Sequence, residues 1–412
     1  MRFPNALRAL NHRDYRLFWT GQLVSLIGTW MQSVGQSWLV LTLTNSPFKL
    51  GLIGTLQWGP MLFLSFVAGA VADRVPKRRL ILATQTALML QAFVLAGLTW
   101  GGHVQYWHVA ILACFYGLAA TADMPTRQSF IVEMAGKDDL MNAIALNSMV
   151  FNGARVVGPA VAGLLVDRYG IPIAFFLNGL SFLAVIGALA AMEAEGRPAS
   201  RTTSTMREEI AAGLRYGLGT PHVSLILGLL LVVSLFLVNH NVLVPLLARD
   251  VLHEGAHGFG LLMAALGAGA VAGSIGMAMV GEGRPPRAVM LTAALILAVV
   301  IFLLGFVRVF WLAAAGLALA GLAQIVFMTS CNTTLQVTVP NELRGRVMSL
   351  YAFVFAGVTP IGSLLVGSIA EVFGVPMAFV TGGALGLLLV AALTLVARHR
   401  LPPGEPRADQ VA

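Results

Sequence analysis

Residues 163–175 read GLLVDRYGIPIAF, and residues 367–379 read GSIAEVFGVPMAF. Each stretch closes an apolar run with a glycine and an acid four positions on, Gly163 with Asp167 and Gly367 with Glu371. Each then opens the next run with Gly-x-Pro-x-Ala-Phe, at Gly170 and at Gly374. The second copy begins about half a chain after the first. The first part of the pattern recurs at Gly69-x-x-x-Asp73-Arg74-x-Pro76. A decayed form follows Gly276, where Val280 stands in place of the acid and Glu282 comes shortly after. Four related segment ends, two in each half, indicate a unit repeated within halves that are themselves repeated.

The sequence around this repeat is too apolar for water. Of 412 residues, 58% are hydrophobic and 11% charged, and mean hydropathy is +0.82. A soluble domain carries about 25% charged residues. A bilayer core ~30 Å thick takes about 20 apolar residues per helix. The apolar runs place twelve spans near 16–43, 48–72, 80–100, 106–132, 143–166, 171–192, 222–248, 257–281, 288–307, 309–336, 346–370 and 375–397. The expected fold is an all-α membrane protein with twelve transmembrane helices in two pseudo-symmetric six-helix bundles. Residues 1–192 form the first bundle, 193–221 a polar cytoplasmic linker, 222–397 the second bundle and 398–412 a cytoplasmic tail. Three-span units nested in six-span halves are the sequence mark of alternating-access transporters.

The net charge of +8 is a topology signal. Of the 26 Lys and Arg residues, twenty fall at the termini and in alternate connections; the opposite side holds only Lys49, Arg168, Arg249 and Arg308. That asymmetry puts both termini in the cytoplasm of a multi-pass cell (inner) membrane protein and argues against a nucleic-acid partner. Cys114 and Cys331 fall inside spans, without metal or redox spacing. The first apolar run is too long for a signal-peptide core and is expected to be retained.

The chain resembles the major facilitator superfamily over essentially its whole length. The loop Gly69-Ala70-Val71-Ala72-Asp73-Arg74-Val75-Pro76-Lys77-Arg78-Arg79 is similar to the superfamily's G-x-x-x-D-R-x-G-R-R/K signature, with Pro76 and Lys77 replacing Gly and Arg. Ala154-x-x-x-Gly158-Pro159-x-x-Ala162-Gly163 resembles the superfamily's antiporter motif, with alanine for two glycines. The stretches Asn11–Phe18 and Ser46–Phe48 resemble the branch of enterobactin exporters and macrolide efflux proteins. The resemblance implies a cytoplasmic gate of Gly69, Asp73, Arg74 and Arg78, in which Asp73 faces the start of span eleven near Arg346 and the arginines tie the loop to nearby acids and anionic headgroups. An acid at that point suits the partial positive charge of a helix N-terminus. Lys77 and Arg79 read as topology-setting cations. Asp123 and Arg127, four apart, share a helical face; they read either as a self-neutralising buried pair or as members of the Asp73 cluster.

Arg155 lies mid-span, where an Arg costs ~2.5–3.5 kcal/mol on insertion scales, so it requires a wet cavity or a partner. Two readings stand. One is an anchor for an anionic or carbonyl-bearing substrate; the other is a clamp onto span-four carbonyls or Asn152. Gly158-Pro159 just beyond reads as a packed helix kink. Gln22, Ser25, Thr29, Gln32, Ser33 and Gln36 form a stripe on span one that either lines a pathway or binds neighbouring helices. His240, between Asn239 and Asn241, reads as a packing residue or as a proton switch. Gln324 heads a polar face on span ten. Arg155, Asn152, Gln22, Thr29, Gln36, His240 and Gln324 are thus the candidate substrate-binding set, with Trp30, Trp58, Tyr116, Phe151, Tyr351 and Phe355 available to line an apolar pocket.

No phosphate-binding loop and no G-x-S-x-G elbow appears, so neither ATP hydrolysis nor the common hydrolase chemistry is expected. His253-Glu254-x-x-His257 matches a zinc-protease pattern, but Gly255, Gly258 and Gly260 disfavour the regular helix it requires, and the match reads as chance. No cofactor and no metal is expected. The reading is a transporter that exports a small amphipathic compound, driven by a proton gradient. A siderophore exporter is the second reading and a small-metabolite importer the third. Substrate identity and oligomeric state are not legible.

Overall fold

The computed structural model describes residues 4–72, 74–136, 138–196, 214–279 and 285–400. The gate candidate Asp73, most of the expected linker and the end of the tail lie outside the described residues. Among the described residues, a short 3₁₀ helix, Asn5–Asn11, precedes twelve long rods. These are α1 (Arg13–Thr44), α2 (Pro47–Ala72), α3 (Lys77–Trp100), α4 (Tyr106–Ala135), α5 (Leu140–Tyr169), α6 (Pro172–Ala191), α7 (Pro221–Val251), α8 (Ala256–Met279), α9 (Arg287–Leu304), α10 (Phe310–Thr338), α11 (Asn341–Phe373) and α12 (Val375–Arg400). Among the described residues, the ten from α3 to α12 are long and apolar enough to cross a membrane. α1 and α2 are long enough as well, with 32 and 26 residues at ~1.5 Å rise each; α1 is diluted by its Gln, Ser and Thr stripe.

The repeat that opens the sequence is a helix-stop device. Gly170 and Gly374 end α5 and α11 at φ 85° in both cases, with ψ 168° and 160°. Only glycine adopts that region without strain. The proline two positions later, Pro172 or Pro376, is the first or second residue of the next helix, where a missing N–H costs nothing. Each copy is therefore a tight reversal between two antiparallel spans.

Helices α1–α6 pack on one another, as do α7–α12, and the two sets meet mainly along α2 with α11 and α5 with α8. Small residues make both seams. A methyl group on Gly51 would strike the Ser363 carbonyl of α11, and one on Gly163 would lie 2.8 Å from the Ala256 carbonyl at the start of α8. Within the second set, Gly269 meets the Ala318 backbone and Gly321 the Leu266 carbonyl, so α8 and α10 touch backbone to backbone.

Two local differences from expectation follow from packing. Glycine was expected to keep residues 255–260 irregular, yet α8 starts at Ala256 and includes Gly258 and Gly260. Gly260 is needed there because α5 passes against it: a methyl would sit 2.8 Å from the Gly163 Cα. The first residues of the expected linker are also fixed. Glu193 and Ala194 donate backbone N–H groups to Asp14 at 3.1 and 2.7 Å, and Gly196 accepts from Lys77 N–H.

α7 is not a continuous α-helix. π-helical turns at Val233–Leu237 and Leu247–Val251 flank a break at Val238 and Asn239, whose ψ values are 39° and 40°. The short piece His240–Leu246 touches α1, α2, α8, α11 and α12. Irregular backbone at membrane depth is tolerated where protein or a cavity surrounds it.

Candidate functional site

The break in α7 brings His240 to Gln324 of α10, whose Oε1 accepts the His240 Nε2–H at 3.1 Å. The same oxygen receives Arg155 Nη2 of α5 at 3.5 Å, the edge of hydrogen-bond range. Three of the seven substrate-site candidates thus meet across the seam between the two sets. Arg155 also faces the Trp30 ring of α1 at 5.9 Å, and Trp30 packs edge-on against Phe151. Neither clamp considered from sequence is formed: Asn152 donates to its own helix, at Ser148 O, and the Arg155 Nε is buried without a partner. No carboxylate pairs with this guanidinium among the described residues.

Backbone chemistry places Arg155. Pro159 has no N–H, so the Arg155 carbonyl four residues earlier lacks its helical donor. At that level Gly267 of α8 approaches, and a methyl on it would lie 2.8 Å from the Arg155 oxygen. Gly158 likewise admits α1, since a methyl there would meet Trp30 Cβ and lie 2.8 Å from the Ile27 carbonyl. The Gly-Pro pair therefore brings α1 and α8 together around one cation.

The stripe on α1 separates into helix-to-helix contacts. Gln22 accepts from Arg127 Nη1 of α4. Gln32 donates to Gln91 of α3 at 3.0 Å and accepts from Asn178 of α6 at 2.7 Å. Gln36 donates to Gln57 of α2 at 2.9 Å, and both border a cavity of about 40 Å³ with Trp58, Asn239 and Asn241. Thr29 bonds its own helix at Ser25 O.

Asp123 and Arg127 pair inside the first set. Asp123 Oδ1 also accepts from Thr84 at 2.6 Å and Gln85 at 3.0 Å, both on α3. Arg127 lies over the Phe18 ring at 5.8 Å. The network joins α1, α3 and α4. Of the remaining gate candidates, Gly69 falls in the last turn of α2, Arg74 is exposed, and Arg78 donates to Ala190 O at 2.8 Å. Lys77, expected only to set topology, is buried and paired with Glu133 of α4; nothing in its local sequence signals that partner, 56 residues away. Near the N-terminus, His12 donates to Asp139 at 2.9 Å and Arg8 pairs with it. The His12 hydrogen bond, with Arg8 adding to it, holds the Asp139 carboxyl below the usual carboxylate range.

Sequence reasoning missed the polar crossings at the end of the molecule that carries the α1–α2 and α7–α8 turns. Glu371 Oε2 at the end of α11 accepts from Ser46 Oγ at 2.8 Å and from Phe48 N–H at 3.0 Å. Thr55 of α2 donates to Pro360 O of α11 at 2.8 Å, and Arg249 of α7 donates to Leu41 O of α1 at 3.1 Å. Among the described residues, the chain is closed at this end by four hydrogen bonds between the two sets. At the end that carries the termini, Arg13 pairs with Glu193, Arg78 donates to Ala190 O and Lys77 pairs with Glu133, all within the first set and its following segment. His253, which has φ 56°, precedes α8, so it and His257 do not share a helical face.

Known proteins share both the sequence and the fold. The chain is 28% identical over 384 residues to the multidrug efflux pump Tap of Mycolicibacterium fortuitum, covering 90% of this chain and 93% of that one. It is 25% identical to the staphyloferrin A transporter of Staphylococcus aureus, covering 88% and 91%, and 24% identical to the enterobactin exporter EntS of Escherichia coli, covering 97% and 96%. Its fold superposes on the nucleoside transporter NupG with a TM-score of 0.71 at 12% identity, covering 93% and 99%. A bacterial homologue of the lysosomal transporter Spinster, solved inward-facing and unoccupied, gives 0.72 at 15% identity, covering 94% and 95%. The profile of the transmembrane secretion effector family matches residues 5–411; the chain belongs to that family of the major facilitator superfamily, whose members are multi-pass membrane transporters and not enzymes.

Proposed function

We propose that this chain exports a small amphipathic compound across the cytoplasmic membrane by alternating access, with bundles 1–192 and 222–397 rocking about the site at Arg155, His240 and Gln324. The observation that carries this reading is Arg155: a cation at mid-span, on the seam, whose Nε has no partner. Its cost in a membrane is reasonable where a substrate completes its hydrogen bonding. The twenty cations at the termini and in alternate connections support cytoplasmic termini; on that reading the closed end is the outer one and the site opens inward. That state suits capture of a cargo from the cell. The names of the relatives, an efflux pump and two siderophore transporters, support export. Proton drive belongs to the same proposal, with His240 as its candidate carrier, since Asp123 is already paired with Arg127. Gly69, Asp73, Arg74 and Arg78 act as the inner gate.

A siderophore exporter is the second reading. A guanidinium with no carboxylate partner among the described residues favours it, because iron chelators of that kind present acidic oxygens, with which Arg forms two parallel hydrogen bonds. The test is uptake of a panel of lipophilic cations, neutral drugs and acidic chelators into everted vesicles under an imposed pH gradient. Accumulation that collapses with the gradient supports proton-driven export. Accumulation that ignores it removes proton coupling, and no accumulation of any class removes export.

A further inference from the structure

We infer that Glu371 is an outer gate latch: it holds the second bundle to the start of α2 while the site faces inward, and its release permits outward opening. This rests on the alternating-access reading above. The carboxylate lies at the end of α11 and binds two groups of the other bundle, the Ser46 hydroxyl and the Phe48 N–H. Phe48 N–H belongs to the first turn of α2, where backbone donors have no helical acceptor and the helix end carries partial positive charge. Ser46 is buried and also accepts from Lys49 N–H at 3.2 Å, so the serine is oriented toward the acid from its own side.

Register and repetition make this more than one contact. α2 and α11 run antiparallel along their seam, with Pro47 beside Gly367, Gly51 beside Ser363 and Leu62 beside Gly357. Helices paired in this way put the end of each opposite the start of the other. The sequence repeat places an acid at both ends: Asp73 after α2, and Glu371 in α11. Asp73 is the residue proposed for the inner gate, and Glu371 is its counterpart at the outer end. The third acid of the repeat, Asp167, follows the same rule on the other seam. Its Oδ1 lies 3.6 Å from where a methyl on Gly255 would be, at the start of α8. One acid per seam thus faces a helix start at the closed end. Glu371 is solvent-exposed, so its contribution is a modest bias on a two-state equilibrium.

The test uses the full chain in lipid nanodiscs, with Cys114→Ala and Cys331→Ala, and two pairs of spin labels. Cysteines at Trp107 and Trp311, both exposed on the α4 and α10 starts, report the outer end. Cysteines at Met141 and Met279 report the inner end. Glu371→Ala is expected to lengthen the outer distance and shorten the inner one, shifting the population ratio roughly three- to tenfold. Glu371→Gln and Ser46→Ala, milder changes that keep the fold, should shift it less and in the same direction. A change in stability alone would not move the two ends in opposite senses. Gly260→Leu, which wedges the α5–α8 seam, serves as an independent opener. If Gly260→Leu shifts both distances and none of the Glu371 and Ser46 variants does, the latch is wrong. If no variant moves either pair, the alternating-access reading fails and the latch with it.

Discussion

Replacing Arg155 with methionine separates a substrate anchor from a structural clamp. Methionine keeps an unbranched stem that reaches as far as the Nε position and removes the guanidinium and its charge. In the structure the guanidinium has one hydrogen bond, at 3.5 Å to Gln324, and one ring contact, at 5.9 Å to Trp30. The first is at the weak end of a bond that contributes about 0.5–1.5 kcal/mol net. The second contributes about 0.5–1 kcal/mol. Against them stands the buried, unpartnered Nε, a desolvation cost of about 1–3 kcal/mol that the substitution relieves. These terms cancel to within about 1 kcal/mol, so Arg155→Met should unfold at nearly the parent temperature. Transport should respond differently. Losing a hydrogen bond from a charged donor to substrate costs about 1.5–3 kcal/mol, or roughly ten- to a hundredfold in transport per folded molecule at limiting substrate. The assay pairs thermal unfolding in detergent with initial accumulation rates in everted vesicles, normalised to folded protein. Arg155→Lys, which keeps the charge and loses the planar fork, should retain part of the rate. A loss of several kcal/mol in stability with normal transport per molecule would make Arg155 a clamp, and full retention of both would make it a bystander.

Three further outcomes follow from the packing and the charges. Asp123→Ala leaves Arg127 buried without its carboxylate and should cost about 3–5 kcal/mol, with part recovered in Asp123→Ala/Arg127→Leu; melting temperatures of the three proteins check it. Gly269→Ala should cost about 1–3 kcal/mol or more because α8 must move off the Ala318 backbone, whereas Gly276→Ala, which meets open space, should be neutral or slightly stabilising by the same measurement. Asp139 has a carboxyl pKa lowered by His12 and then Arg8, so it adds stability above the ordinary carboxylate pKa, and that contribution disappears as pH falls through the lowered value. Melting curves of the parent and Asp139→Asn should therefore differ at pH 7 and converge in strong acid.

Much of the fold was legible because a membrane enforces simple rules. Apolar length gave the rods, and Gly170 and Gly374 with their following prolines gave two of the reversals. Where a rod depends on polar side chains, sequence was less informative. The stripe on α1 was equally consistent with a pathway and with helix packing; distributing Gln22, Gln32 and Gln36 to α4, α3 with α6, and α2 required the neighbours. The break in α7 had one sign in sequence, the Asn239-His240-Asn241 cluster in an apolar run, and that cluster does not specify a backbone change.

The sequence by itself determined that this chain crosses a membrane many times, that its halves repeat, and that a single Arg stands in mid-span. Those properties are local: they depend on hydropathy, charge position and glycine's tolerance of positive φ. Only the tertiary structure decided what that Arg meets. Arg155, His240 and Gln324 are separated by 84 to 169 residues along the chain, and no periodicity relates positions on different helices. They meet because Pro159 frees a carbonyl, Gly267 lets α8 approach it, and α7 breaks one residue before His240. The same holds for Glu371, whose acid is visible in the repeat but whose partners, Ser46 and Phe48, lie more than 320 residues away at the start of a helix that runs the other way.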